Sequence, residues 1–199
     1  MLAVTNLSCT RGERQLFSNV HFSLLAGTCL HVQGDNGCGK TSLLRLLVGL
    51  APLETGEIHW RGVKRLDSGM NREMTYLGHH AAVNGDLTSL ENLRFASAQD
   101  GIRLDPNDAL AALRKMGLRG REDLPVRVLS AGQKRRVLLS RLLVRPAKLW
   151  VLDEAFTALD VGAVGVLNEL ISAHLMAGGV AVLTSHQPLI LQNVQVLSL

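Results

Sequence analysis

The sequence predicts an α/β domain: a parallel-sheet core carrying a phosphate-binding loop, an antiparallel β patch flanking that loop, and an inserted helical stretch. Three observations predict it. Gly34 to Thr41 fits G-x-x-x-x-G-K-[ST] and lies between an apolar strand and an apolar helix, the setting that motif requires. Leu149–Leu152 and Val180–Leu183 are short, continuous apolar runs, as expected of strands buried on both faces of a parallel sheet. Residues 87–145, between the two halves of this pattern, carry helix-start signals. At 199 residues and 47% hydrophobic content the chain is long enough for one well-buried domain. We divide it into a core with its β patch at 1–86 and 146–199, and a helical subdomain at 87–145.

Taken in order, Leu2 to Leu7 and Val20 to Leu24 read as strands with a turn at Arg11-Gly12-Glu13-Arg14. Thr28 to Gln33 is the strand before the loop, and Ser42 to Gly49 is the helix after it. Glu57 to Trp60, followed by Arg61-Gly62, adds a strand and turn to the antiparallel patch, and Met74 to Gly78 runs as a strand into His79-His80. Thr88-Ser89-Leu90-Glu91 is a capping box, in which hydroxyl and carboxylate satisfy each other's orphan backbone donors, and it opens a helix to about Ala98. Asp105 as N-cap with Pro106 at the first position opens another, which ends at Gly117. A further helix runs from Ser130 to Val144. Val161, Val164, Leu167, Leu170, Ile171 and Leu175 recur at helical spacing, and Gly178-Gly179 ends that helix before the strands Val180–Leu183 and Val194–Leu199.

The net charge of +4 is mildly basic, and the Lys/Arg residues are scattered apart from Gln133-Lys134-Arg135-Arg136; such a balance fits an anionic ligand or a membrane surface and gives no argument for nucleic acid. Cys9, Cys29 and Cys38 are odd in number and lack metal-ligand spacing, so a reduced, cytosolic compartment is expected. The first residues lack a signal-peptide pattern. Leu170 to Leu199 contains no Asp, Glu, Lys or Arg, but polar and glycine interruptions divide it into helix end, strand, loop and strand. Any contact with a membrane is therefore expected to run through a partner.

The residue types of the loop follow from its chemistry. Glycines turn backbone N–H groups inward, and these donors with a helix N-terminus hold anionic phosphate; Lys40 reaches the outer phosphates and Thr41 offers its hydroxyl to Mg2+. Asp153-Glu154 follows the buried strand Leu149–Leu152. We assign Asp153 to Mg2+ and Glu154 to the general base that polarises the attacking water. Ser130 stands at a helix start, where its side chain serves as an N-cap.

These pieces resemble the ABC-type ATPases over essentially the whole chain. Leu129-Ser130-Ala131-Gly132-Gln133 has the form of the L-S-x-G-Q signature, Ala158-Leu159-Asp160 is similar to the D-loop, and Ser185-His186 is similar to the switch histidine. The resemblance implies a P-loop NTPase (RecA-like) core with an antiparallel β subdomain and an inserted helical subdomain of ABC ATPase type. It implies ATP and Mg2+ as ligands, with Gly34, Asp35, Asn36, Gly37, Cys38, Gly39, Lys40, Thr41 and Ser42 around the phosphates. Lys40, Glu154 and His186 are then catalytic, and Ser130, Gly132, Gln133 and Asp160 also serve the nucleotide in an ATP-dependent head-to-tail homodimer. His79 and His80 stand where the family places a glutamine that touches Mg2+ and water; which of the two fills that place stays open, and a haem or zinc role for the pair is a second reading. The adenine-stacking aromatic is absent from the first turn. Arg11 either stacks on the base through its guanidinium or is a solvated turn residue, and weakened base selectivity is expected.

Within that family the chain is similar to the haem-exporter ATPases of c-type cytochrome biogenesis, the CcmA group. The similarity rests on the short length, Tyr76-Leu77-Gly78-His79, Leu129 to Arg136, Asp153 to Asp160, and Ser185-His186-Gln187-Pro188-Leu189. Ala155 stands where the family usually has proline, which predicts a looser turn. The resemblance implies integral membrane partners of CcmB/CcmC type and a place on the cytoplasmic face of the bacterial inner membrane. The ATPase of another ABC importer or exporter is the alternative, or a soluble ABC ATPase; the latter usually carries tandem cassettes or long coiled-coil insertions, and this chain has neither.

Overall fold

The computed structural model describes residues 1–79, 82–187 and 189–199. They form two compact units. The first comprises Met1–His79, Ala147–Ala155 and Ile171–Leu199, and the described part of the second comprises 82–146 and 156–170.

In the first unit, β1 (Leu2–Arg11) and β2 (Arg14–Leu24) form a hairpin. With β4 (Thr55–Trp60) and β5 (Val63–Lys64) they make an antiparallel sheet in the order β2-β1-β4-β5. Both hairpin strands run further than the hydrophobic alternation predicts. Their outer halves are held by the cross-strand ladder, which continues to Arg11 opposite Arg14 through register shifts. A Cβ at Gly56 would lie 2.6 Å from the carbonyl oxygens of Thr5 and Asn6, so only glycine fits where β4 crosses that irregular stretch.

The second sheet is parallel, in the order β6-β7-β8-β3-β9, from β3 (Cys29–Gln33), β6 (Met74–Leu77), β7 (Leu149–Leu152), β8 (Val180–Thr184) and β9 (Val194–Ser198). The helix α1 (Lys40–Val48) turns Leu43, Leu44 and Leu47 into a core shared with Leu2, Val4 and Leu24 of the antiparallel sheet and Leu30, Val151 and Val182 of the parallel one. β3, β6, β7 and β8 all end at the same edge, where open α/β sheets bind ligands.

The second unit packs α2 (Ser89–Gln99), α3 (Pro106–Lys115), α4 (Ala131–Leu139) and α5 (Arg141–Val144) around Leu93, Leu113, Leu118, Val126 and Val137. The Thr88/Glu91 capping box and the Asp105 cap with Pro106 behind it are both formed. The helix expected to run from Ser130 to Val144 divides at Ser140, whose hydroxyl donates back to the Val137 carbonyl at 2.6 Å. Asn92 is buried and clamps the preceding loop: its Oδ1 accepts from the Asn84 N–H, and its amide donates to the carbonyls of Asn84, Leu87 and Thr88. A last helix, α6 (Val161–Met176), leads from this unit into the first.

Candidate functional site

The glycine-rich loop begins where the buried strand β3 stops. Gly34, Gly37 and Gly39 take φ of +144°, +83° and +116°, which L side chains rarely adopt. At two of them space is also denied: a Cβ on Gly34 would lie 2.6 Å from Cys38 Sγ, and one on Gly39 would lie 2.9 Å from the Phe17 ring. Gly39 is the N-cap of α1 and supplies no side-chain acceptor, so that helix start keeps donors for an anion. Lys40 is 8% exposed, and its ammonium donates to the loop's own carbonyls, Gly34 O at 2.7 Å and Asp35 O at 3.0 Å. These bonds hold the cation over the loop.

Thr41, in the first turn of α1, donates its hydroxyl to Asp153 Oδ2 at 2.8 Å. Asp153 is 1% exposed, directly after β7. Its Oδ1 accepts from the Thr184 hydroxyl at 2.9 Å, and that hydroxyl accepts the Glu154 N–H at 2.6 Å. Glu154 sits at φ +47°. The Ala155 N–H donates to the Thr184 carbonyl at 3.2 Å, a bond that proline could not make, so the turn expected to be loose is tied to β8. Glu154 Oε2 lies 3.0 Å from His79 Nδ1. Burial and the nearby Asp153 carboxylate push the Tyr76 phenol up.

Thr41 and Asp153 fit Mg2+, since both offer oxygen and the ion takes few protein ligands beside water and phosphate. No cluster of three or more His, Cys, Asp or Glu capable of holding a metal exists among the described residues. His79 meets Glu154, and His80, the other candidate for the glutamine position, lies outside the described residues. His186 is exposed in the loop after β8, where Ser185 Oγ accepts the Gln187 N–H at 2.9 Å. Pro188 of the same segment is also outside the described residues. Arg11 is exposed at the hairpin end.

In the second unit Ser130 caps α4 in a second capping box: its Oγ accepts the Gln133 N–H at 3.3 Å, and its own N–H donates to Gln133 Oε1 at 3.0 Å. A Cβ on Gly132 would lie 2.6 Å from the Ala158 carbonyl oxygen. Asp160 accepts the Ala163 N–H at 2.9 Å and pairs with Arg136, so the 158–160 segment is fastened to α4. Three participants were not read from the sequence. Thr184 had one signal, a hydroxyl at the end of an apolar strand; Arg136 stood in the basic run without its partner Asp160 being legible, and Phe17 had none, because it acts through a residue distant in the chain.

Residues 17–157 match the protein family described as ABC transporter. The chain is 50% identical over 98% of its length, and 93% of the relative's, to the cytochrome c biogenesis ATP-binding export protein CcmA of Nitrosomonas europaea. It is 51% identical to the protein of that name from Dechloromonas aromatica, over 94% of this chain and 93% of the relative. Among solved structures it is similar to an ABC transporter ATP-binding protein of Pyrococcus furiosus, with TM-score 0.88, 23% identity, and coverage of 100% of this chain and 96% of that one. It is also similar to a dimeric ATP-binding cassette in a post-hydrolysis state with ADP and Pi, with TM-score 0.80, 22% identity, and coverage of 94% and 88%.

Proposed function

The chain belongs to the ABC transporter ATPase family, and from that premise we propose that it is the ATP-hydrolysing subunit of an export complex serving c-type cytochrome biogenesis, with haem as the species handled. The observation that carries the hydrolytic part is the Thr41–Asp153–Thr184–Glu154 network beside the phosphate loop. The biogenesis part is supported by the similarity to cytochrome c biogenesis ATP-binding export proteins, which are about half identical over almost the whole chain.

The loop amides and Lys40 bind and orient the triphosphate, the ammonium exchanging carbonyl partners for phosphate oxygens. Thr41 and Asp153 would hold Mg2+, which when bound neutralises charge on the phosphate oxygens. Glu154 accepts the proton of the attacking water, and His186 donates to the terminal phosphate. A second copy, arranged head to tail, contributes Ser130 and Gly132 at the positive end of α4, with Gln133 holding the cap and Asp160 the adjoining segment. Each site is thus finished by the other molecule's signature, with 1–199 as one ABC ATPase domain. No helix among the described residues is long and apolar enough to cross a membrane. Integral CcmB/CcmC-like subunits would hold the dimer at the cytoplasmic face of the inner membrane.

The test is phosphate release with and without Mg2+ for the original chain and Glu154→Gln, beside size-exclusion of each with ATP. Glu154→Gln is expected to bind ATP, stall turnover and accumulate as a closed dimer; hydrolysis near the original rate removes Glu154 as base. Restoration of c-type cytochrome assembly in a bacterium lacking its own biogenesis ATPase tests the cellular role, and failure of an ATPase-competent chain to restore it argues for another cargo.

A further inference from the structure

β8 lies between β7 and β3 in the parallel sheet, so its last residue, Thr184, ends between the strand that delivers Asp153 and the strand that delivers the phosphate loop. Thr184 is 0% exposed. A hydroxyl taken from water must be bonded to be tolerated, and here both roles of the oxygen are filled by site residues. It donates to Asp153 Oδ1 at 2.9 Å and accepts the Glu154 N–H at 2.6 Å, while the Thr184 carbonyl accepts the Ala155 N–H at 3.2 Å.

We propose that Thr184 is a positioning residue for hydrolysis: it fixes which oxygen of Asp153 faces Thr41 and the metal, and it holds Glu154 in the turn that aims its carboxylate. The inference rests on the reading of the chain as a Mg2+-dependent ATPase. With Oδ1 engaged by Thr184, Oδ2 is the oxygen on the Thr41 side, 2.8 Å from that hydroxyl. Removing the Thr184 hydroxyl takes away the bond that anchors Oδ1 and so loosens the metal-facing geometry. Glu154 stands at φ +47°, a conformation a non-glycine residue keeps only when its surroundings enforce it, and the bond to its N–H is part of that enforcement. A purely packing role would need the shape of the side chain alone. Valine supplies that shape without the hydroxyl, and serine supplies the hydroxyl without the methyl.

The test uses the full chain with Thr184→Val and Thr184→Ser, and reads two quantities: steady-state phosphate release, and the Mg2+ concentration that half-saturates tight binding of a fluorescent ATP analogue. For Thr184→Val, kcat is expected to fall and the Mg2+ midpoint to rise, each by about 10–100-fold, the usual cost of losing a partner that orients a metal ligand. Binding of the analogue without Mg2+ should be unchanged, and Thr184→Ser should restore both quantities. A folded valine variant with the original kcat and Mg2+ midpoint overturns the inference, as does a serine variant as impaired as valine. If circular dichroism shows the valine variant unfolded, Thr184→Cys takes its place as a weak donor of similar size, and an undiminished Mg2+ response there overturns the inference equally. An original chain that releases no phosphate overturns the ATPase reading and this inference with it; an active original beside an equally active valine variant overturns the inference alone.

Discussion

Gly132→Ala tests a close backbone approach in the signature segment. The added Cβ would lie 2.6 Å from the Ala158 carbonyl oxygen, whereas carbon–oxygen contacts settle at about 3.3–3.6 Å. Relief therefore demands a displacement of roughly 0.7 Å, and the obstructing atom is main chain, which cannot rotate away. The segment it belongs to resists: Asp160 is bonded to the Ala163 N–H and paired with Arg136 of α4. Overpacking of this kind costs about 1–3 kcal/mol, against which alanine returns at most about 1 kcal/mol of helix propensity. The net is a destabilisation of about 0–2 kcal/mol, or a Tm lowered by up to about 8 °C in a chain of this size. Turnover should fall far more than stability, because the displaced backbone is the part that we propose is offered to the neighbour's nucleotide. Gly165→Ala in α6 is the control. Nothing lies within 4 Å of its Cβ, so alanine should stabilise by about 0.5–1 kcal/mol and leave turnover alone. Thermal unfolding by circular dichroism with phosphate release measures both. If Gly132→Ala is stabilised like the control and hydrolyses at the original rate, the close approach and the role built on it are refuted.

Cys38 should be the first thiol labelled by an alkylating reagent at neutral pH, because burial pushes Cys29 up to about 12 and burial with the Glu54 charge raises Cys9; peptide mass spectrometry should find Mg-ATP protecting it, and equal labelling with and without nucleotide would misplace the loop. His174 stacks on Trp150 with ring centroids 3.9 Å apart and planes 4° apart, and burial lowers its pKa from 6.5. The unfolded chain then takes up the proton first. Stability is complete above pH 6.5 and declines as the pH falls below it, a trend that Tm against pH should lose in His174→Phe. Asn92→Leu keeps the heavy-atom branching but strips from a buried loop clamp the bond to Oδ1 and those of the amide to three carbonyls; urea unfolding should show a loss of about 2–4 kcal/mol, and a loss under half of that would mean water replaces the amide.

What the sequence revealed is what local chemistry writes into neighbouring positions. The phosphate loop, the Thr88 and Asp105 caps and the buried runs of β7 and β8 are spelled by residues a few positions apart, and the structure forms each of them. The break at Ser140 was hidden because a serine can stay in a helix or bond backwards, and only the fold decides. The outer halves of β1 and β2 were hidden for the opposite reason: Ser8, Cys9 and Thr10 show no alternation of their own, and their extended state is imposed by the partner strand. Thr184 depended on sheet order. Nothing near residue 184 says that β8 will lie beside β7, so a hydroxyl 31 residues from Asp153 could not be read as its partner.

That dependence on sheet order also accounts for Ala155. Where the family usually has proline, rigidity comes from a ring that fixes φ and forgoes an N–H. Here the N–H is kept and bonded to the Thr184 carbonyl, one residue after the Glu154 N–H is bonded to the Thr184 hydroxyl. The turn is consequently held from outside, by the end of β8, and not from within. Since His186 follows Thr184 by two residues, a movement of the loop after β8 acts on a segment that also carries the bonds orienting Asp153 and Glu154. A proline turn would forgo only the bond of the residue 155 N–H, whereas with alanine the end of β8 meets Asp153, Glu154 and Ala155 at once, and the loop that carries His186, which we propose faces the phosphate, begins at the next residue.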